Sequence, residues 1–312
     1  MLHYDCYRIP DEQSLCNDRL EVLFVNHKED GHLELLNQLL SEEPLGQKTK
    51  KRMLYTEQEE GSEPTNGKLQ RPQESAQASG SSVIETRPDT GREQRKGAPE
   101  IIFGETKETA QIIAMAQGLL AGTGRAIISR IPPTAFDQVK AAFQEYTVSI
   151  REAAHAMVIY RPEYVKKSTG GHVGVISAGT SDIPVAEEAV VTAEEMGCRV
   201  SCIYDVGVAG LHRLIGPLRE LLASDVDVII VAAGMDGALP SVVAGLVPVP
   251  VIGLPTSIGY GMGGKGVAAL LSMLQTCAPG LSVVNIDNGV GAGITAALIA
   301  NRVAHAREHQ SQ

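Results

Sequence analysis

The chain has 312 residues, 43% of them hydrophobic, which is enough for one large domain or two ordinary ones. A formal net charge of −10, no Trp and only 4% aromatic residues exclude a basic footprint for nucleic acid or anionic membrane and a base-stacking platform. Every apolar stretch is broken by Gly, Pro or charge, and the N-terminus lacks a basic region followed by an apolar one, so a soluble cytoplasmic protein is expected.

The N-terminal third does not resemble the rest. Residues 19–40 read as a weak helix interrupted by Gly31, and residues 47–97 turn to Glu, Gln, Ser, Gly, Pro, Lys and Arg, a composition that cannot bury enough surface to offset ordering entropy. Residues 1–97 are therefore expected to be a weakly helical, then largely disordered extension, with composition favouring a linker over the alternative of an interaction tail. Structure is expected from Ala98, with a strand at 99–104, a helix at 106–120 capped by Thr106, a strand at 125–131, a helix at 133–146 and strands at 147–150 and 156–160. This small α/β domain spans 98–165.

From His172 onward the pattern is regular. Apolar runs at 173–176, 200–204, 226–232, 250–254 and 281–286 alternate with helical segments at 183–196, 210–223, 238–246, 265–276 and 291–304. Short unbroken apolar runs suit strands covered on both faces, so residues 170–312 are predicted to form an open, parallel, five-stranded doubly wound sheet. Pro217 weakens the second of these helices.

In such sheets ligands bind beyond the carboxyl ends of the strands. The loops there carry Ser177, Gly179, Thr180, Ser181 and Asp182; Asp205; Gly234, Asp236 and Gly237; Thr256, Ser257, Gly259, Tyr260 and Gly261; and Asp287 and Asn288. Their convergence is a stronger signal than any one motif. Gly259 to Gly266 nearly spells a Walker loop, but Gly266 stands where Ser or Thr should hold magnesium, so only a Gly-rich helix N-terminus able to hold phosphate is expected. Gly289, Gly291 and Gly293 form a second cluster opening the last helix. For Ser177 to Asp182, helix capping and phosphate binding are both compatible.

Asp236 lies between glycines at a strand end, where its carboxylate would be exposed as a base or water-activating group, with helix capping as the competing role. Asp205 and Asp287 are expected to end neighbouring strands and crowd acids into one cleft. The five cysteines form no CxxC pair or metal-ligand spacing; reduced thiols are expected, with Cys198 and Cys202 structural. Cys277 closes the 265–276 helix. About twelve residues at about 1.5 Å each carry it to the opposite edge of the sheet, and a helix C-terminus disfavours a thiolate. Sequence physics alone favours a structural role, and a catalytic one requires a neighbouring subunit's cleft and a positive partner.

The segments AGTSDIP, YDVGVAGLHRL, GMDGALPSVVAGL, PTSIGYG and ALLSMLQTCAPGLSVVNIDNG resemble the pyridinium-3,5-biscarboxylic acid mononucleotide synthases of nickel-pincer cofactor assembly, the LarB family. The likeness runs from about Ser177 to Asn301, and REQRKGAPEIIFGETK at 92–107 resembles the family's opening segment; residues 1–82 carry no recognisable counterpart. It implies a C-terminal domain similar to the aminoimidazole ribonucleotide carboxylase or mutase fold, with residues 178–184 holding a ribose phosphate. It implies carboxylation of nicotinic acid adenine dinucleotide on its pyridine ring by CO2 or bicarbonate, then phosphoanhydride hydrolysis releasing AMP. It makes Cys277 the ring-adding nucleophile and places Asp236 where the family usually has Glu. A homo-oligomer, an octamer in the family, with sites shared between subunits is expected, and Mg2+ on the diphosphate is compatible with the chemistry. Competing readings are an aminoimidazole ribonucleotide carboxylase or mutase, whose histidine-bearing cleft loop is missing here, and a non-catalytic nucleotide-binding regulatory protein.

Overall fold

The computed structural model describes residues 86–310. The expectations for residues 1–85 lie outside that range. The described residues build two sheets. In the first, β1 (Ile101–Phe103), α2 (Thr109–Thr123) and β2 (Arg125–Ser129) form a parallel βαβ unit, followed by α3 (Pro133–Ala142) and an antiparallel pair, β3 (Thr147–Arg151) and β4 (Ala156–Tyr160). The order is β1-β2-β4-β3. α2 starts later than expected: its N-cap is Glu108, not Thr106, and the Gln111 side chain accepts the Glu108 N–H at 3.0 Å.

Order also begins earlier than Ala98. A short helix, α1 (Arg92–Lys96), precedes β1 although it buries nothing apolar. Charge and packing hold it: Glu93 reaches Arg125 at 2.7 Å, Arg92 reaches Glu100 at 2.6 Å, and Pro88 and Thr90 pack on α2 at Gly118 and Gly122. A composition argument weighs apolar burial and misses a segment anchored by ion pairs.

The second sheet is parallel and five-stranded, in the order β6-β5-β7-β8-β9, with β5 (His172–Ser177), β6 (Arg199–Ile203), β7 (Val228–Ala233), β8 (Val251–Pro255) and β9 (Leu281–Val283). All six residues of β7 are buried, as a central strand covered on both faces requires. Val173, Val175, Val228, Ile230 and Leu254 face α4 (Ile183–Glu195) and α8 (Gly289–Gln310), while Ile176, Ile229, Val231 and Val251 face α5 (His212–Ala223), α6 (Leu239–Ala244) and α7 (Val267–Leu274). α5 runs unbroken through Pro217, held by the buried stripe Leu214, Leu218 and Leu221. Among the described residues no helix is long and apolar enough to cross a membrane.

The glycines opening α8 lie inside the helix. A β-carbon on Gly289 or Gly293 would strike the Val185 or Ala189 carbonyl of α4, so these glycines, with Ala292 and Ala296 beside them, bring the two helix backbones together. Their role is close packing between the two helices.

The other face of α4 meets the first sheet. Val191 packs with Ile127, Ala156 and Val158, and around it carboxylates find cations. The side chains of Arg125 and Glu195 are 4% and 3% exposed, and their ion pair at 3.3 Å is reinforced by a hydrogen bond from Arg125 to the Glu195 carbonyl. Glu195 also accepts from Tyr160 Oη at 2.7 Å and Lys166 Nζ at 2.8 Å. Breaking such a buried pair strands a charge, so Glu195→Ala should lower the unfolding free energy by about 3 kcal/mol in urea titrations.

At the opposite edge of the second sheet from the strand-end loops, the His172 N–H donates to Asp227 Oδ2 at 2.8 Å, Arg307 lies 2.7 Å from Asp227 Oδ1, and the His172 ring contacts Ser201 and Arg199. Burial, then the Arg199 charge, hold the His172 pKa below its ordinary value. The unfolded chain therefore takes up the proton first, and the stability that neutral His172 contributes is full above its unfolded pKa and falls as pH drops below about 6.5. The stability advantage of wild type over His172→Asn, measured by urea midpoints, should accordingly shrink between about pH 7.5 and about pH 5.5.

Candidate active site

Because β5 to β9 run parallel, the loops following them gather at one edge. Backbone hydrogen bonds lace them together: Ala178 N–H donates to Ala232 O at 2.9 Å, Thr256 N–H to Ala233 O at 3.0 Å, Met235 N–H to Ile258 O at 2.8 Å, and Asp287 N–H to Pro255 O at 2.8 Å. The sheet thus sets the loop positions directly.

Three of the expected ligands are spent inside the protein. Ser177 and Thr256 are fully buried; Ser177 Oγ accepts the Asp205 N–H at 3.3 Å, and Thr256 Oγ1 donates to Asp182 Oδ1 at 2.6 Å. Asp182 Oδ2 accepts the Gly179 N–H at 2.9 Å, so its carboxylate braces the 178–182 turn against β8. Thr180 and Ser181 are exposed and Gly179 is half-buried; with Asp182 turned inward, these three present the open face of the loop.

The acids do not crowd on adjacent strands. β5 separates the strands that precede Asp205 and Asp236, and β8 separates those that precede Asp236 and Asp287, so with strands about 4.8 Å apart each pair is about 10 Å apart at its strand ends. Asp205 pairs with Arg213 at 2.9 Å, and Asp287 Oδ1 accepts the Ser257 N–H at 2.8 Å. Asp236 is exposed after the central strand β7 and accepts only a long 3.5 Å bond from Ala238 N–H, a weak cap that leaves its carboxylate facing solvent. Asn288 Oδ1 accepts the Gly291 N–H at 2.8 Å within the first turn of α8.

Backbone strain marks the same edge. Asp205, Met235 and Asp287 have φ of 59°, 51° and 56°. Asp tolerates the left-handed region, whereas for Met it costs about 1–2 kcal/mol. Met235 is locked there by its bond to Ile258 O, and the buried Gly234 beside it cannot carry a side chain because a β-carbon would collide with that carbonyl. The strained turn aims Asp236 outward, while Gly237 is buried against Ala269.

Ser257 is half-buried, and Gly259, Tyr260 and Gly261 form an exposed arch before α7. α7 is shorter than expected, eight residues or about 12 Å, and ends at Leu274. Cys277 is exposed in the linker to β9, beyond the last turn, where the helix dipole has largely decayed. Because β9 is parallel to β8, that linker lies at the far edge of the sheet, and Cys277 does not join its own chain's loops. Val267, Leu271 and Leu274 form an exposed apolar stripe along α7, Leu271 being 58% exposed, with Met262 and Tyr260 uncovered nearby.

Sequence reasoning missed Arg130 and Glu188. Arg130, with φ of 51° just after β2, pairs through Nε with Glu188 Oε1 at 3.1 Å and donates from Nη2 to Glu188 Oε2 at 3.2 Å and to the Asp287 carbonyl. Ser129 Oγ also donates to Glu188. The only sequence signal was a polar Ser-Arg pair ending an apolar strand, opposite an acidic helix.

Residues 82–161 match the LarB/PurE-like N-terminal domain, and residues 172–312 match AIR carboxylase. An uncharacterized protein of Methanocaldococcus jannaschii is 45% identical over 215 residues, 68% of this chain and 82% of that one. The N5-carboxyaminoimidazole ribonucleotide mutase of the same organism is 38% identical over 125 residues, 39% of this chain and 74% of that one. The phosphoribosylaminoimidazole carboxylase of Candida glabrata is 34% identical over 147 residues, 45% of this chain and 24% of that one.

Because the Met235 turn is held against its own preference, Met235→Gly should raise the unfolding free energy by up to about 1 kcal/mol in urea titrations.

Proposed function

We propose, from the premise that this chain belongs to the LarB family, that it carboxylates the pyridinium ring of nicotinic acid adenine dinucleotide and cleaves the phosphoanhydride to release AMP. The coarser assignment, an enzyme related to carboxylases and mutases, follows from the family itself. The observation that carries the finer one is the division of labour along the second sheet: nucleotide-type loops with an outward-facing Asp236 at one edge, an exposed cysteine beside an uncovered apolar helix at the other.

In this reading a second copy covers the α7 stripe and brings its cleft to Cys277, so the functional unit is a homo-oligomer with shared sites. The Cys277 thiolate adds to C4 of the pyridinium, whose positive charge favours the attack, and gives a dihydropyridine with enamine character. Its C5 attacks CO2; loss of the C5 proton and departure of the thiolate restore the aromatic ring. Gly179, Thr180 and Ser181, with the Ser257 to Gly261 arch, hold the phosphates, and Asp236 orients the water that attacks the phosphoanhydride. Mg2+ carried on the diphosphate would neutralise charge there. Asp236 is one methylene shorter than the family's usual Glu, so the water bridges the difference in reach.

Incubation with nicotinic acid adenine dinucleotide, bicarbonate and Mg2+ should release AMP and a doubly carboxylated mononucleotide, and Cys277→Ala should slow this by roughly two orders of magnitude or more. An unconsumed dinucleotide, or turnover of aminoimidazole ribonucleotide that survives Cys277→Ala, would overturn the proposal.

A further inference from the structure

Arg130 lies within the stretch matching the N-terminal domain and outside the stretch matching AIR carboxylase. It nonetheless touches the strand-end loops of the second sheet. Its guanidinium is clamped by Glu188, whose side chain is 5% exposed, and lies 5.1 Å over the Phe103 ring. From that fixed position Nη2 donates to the carbonyl of Asp287. Asp287 is itself in the left-handed region, and its carboxylate accepts the Ser257 N–H at 2.8 Å. The next residue, Asn288, caps the first turn of α8. A single hydrogen-bonded chain therefore runs from the end of β2 through Arg130 and Asp287 to the base of the glycine arch.

We propose that Arg130 is a positioning residue by which the N-terminal domain completes the nucleotide cleft: it fixes the left-handed Asp287 turn and, through it, the Ser257 loop. The guanidinium fork meets both Glu188 oxygens and the Asp287 carbonyl from two of its nitrogens, whereas a lysine ammonium presents a single nitrogen to all three. The effect on turnover rests on the reading of this edge as the dinucleotide site, whereas the effect on loop order does not.

Hydrogen exchange on the ligand-free full chain is the primary test. In Arg130→Lys and Arg130→Ala, exchange should accelerate roughly tenfold or more, the scale of losing one charge-assisted hydrogen bond, in peptides covering 255–266 and 285–292, with β7 peptides unchanged. Glu105→Gln, which removes only the negative charge from an exposed 3.4 Å contact to Arg130, should leave all these peptides at wild-type rates. With active wild-type protein, Arg130→Lys should raise KM for the dinucleotide more than it lowers kcat. Unchanged exchange in both peptides, or acceleration spread evenly across β7 as well, would show Arg130 to be inert or a general brace and overturn the proposal. A wild-type chain that does not turn over the dinucleotide would sink the functional reading while leaving the exchange result to decide this one.

Discussion

The structure depends on carboxylates buried in a helix. α4 lies between the two sheets, and its outward face carries Glu188 and Glu195, which a two-layer fold would normally keep in water. They are tolerable because Arg125 and Arg130, five residues apart at the two ends of β2, arrive opposite them. Arg125, Glu188 and Glu195 are buried and Arg130 is partly exposed, so the cost of desolvating three charges is offset only while their partners are present and well aligned. Glu194, one residue away, repeats the pattern at the surface with Arg151.

Against that scaffold the strand-end edge divides into braces and open groups. Ser177, Asp182, Thr256 and Asp287 hold loops to one another, and the groups left facing outward include Thr180, Ser181, Asp236 and Tyr260. Polar residues gathered at the end of a parallel sheet are thus mostly internal carpentry. Only a minority have hydrogen-bonding capacity that the protein leaves open to a ligand.

Much of the second sheet could be read from sequence because its strands are unbroken apolar runs bounded by glycine, a pattern that burial on both faces imposes directly. The loops carrying the candidate site were legible for the same reason, since topology places them wherever strands end. Strand order was not legible: whether Asp205 and Asp236 are neighbours depends on which crossover passes over which, and composition is silent on that. Helix ends shifted by several residues, at Glu108 and at Leu274, where caps and linkers compete over fractions of a kcal/mol. α1 and Arg130 escaped notice because their partners, Arg125, Glu188 and Asp287, are distant in sequence and matter through charge.

The seam of small residues between α4 and α8 has a mechanical meaning. With Gly289 and Gly293 holding the two helix backbones in contact, there is no side-chain layer to deform between them. α8 is therefore coupled rigidly to α4, α4 to the first sheet through its ion pairs, and the Asp287 turn to both. A side chain introduced at Gly289 or Gly293 would have to push α4 aside, and with it the ion pairs that α4 makes with the first sheet.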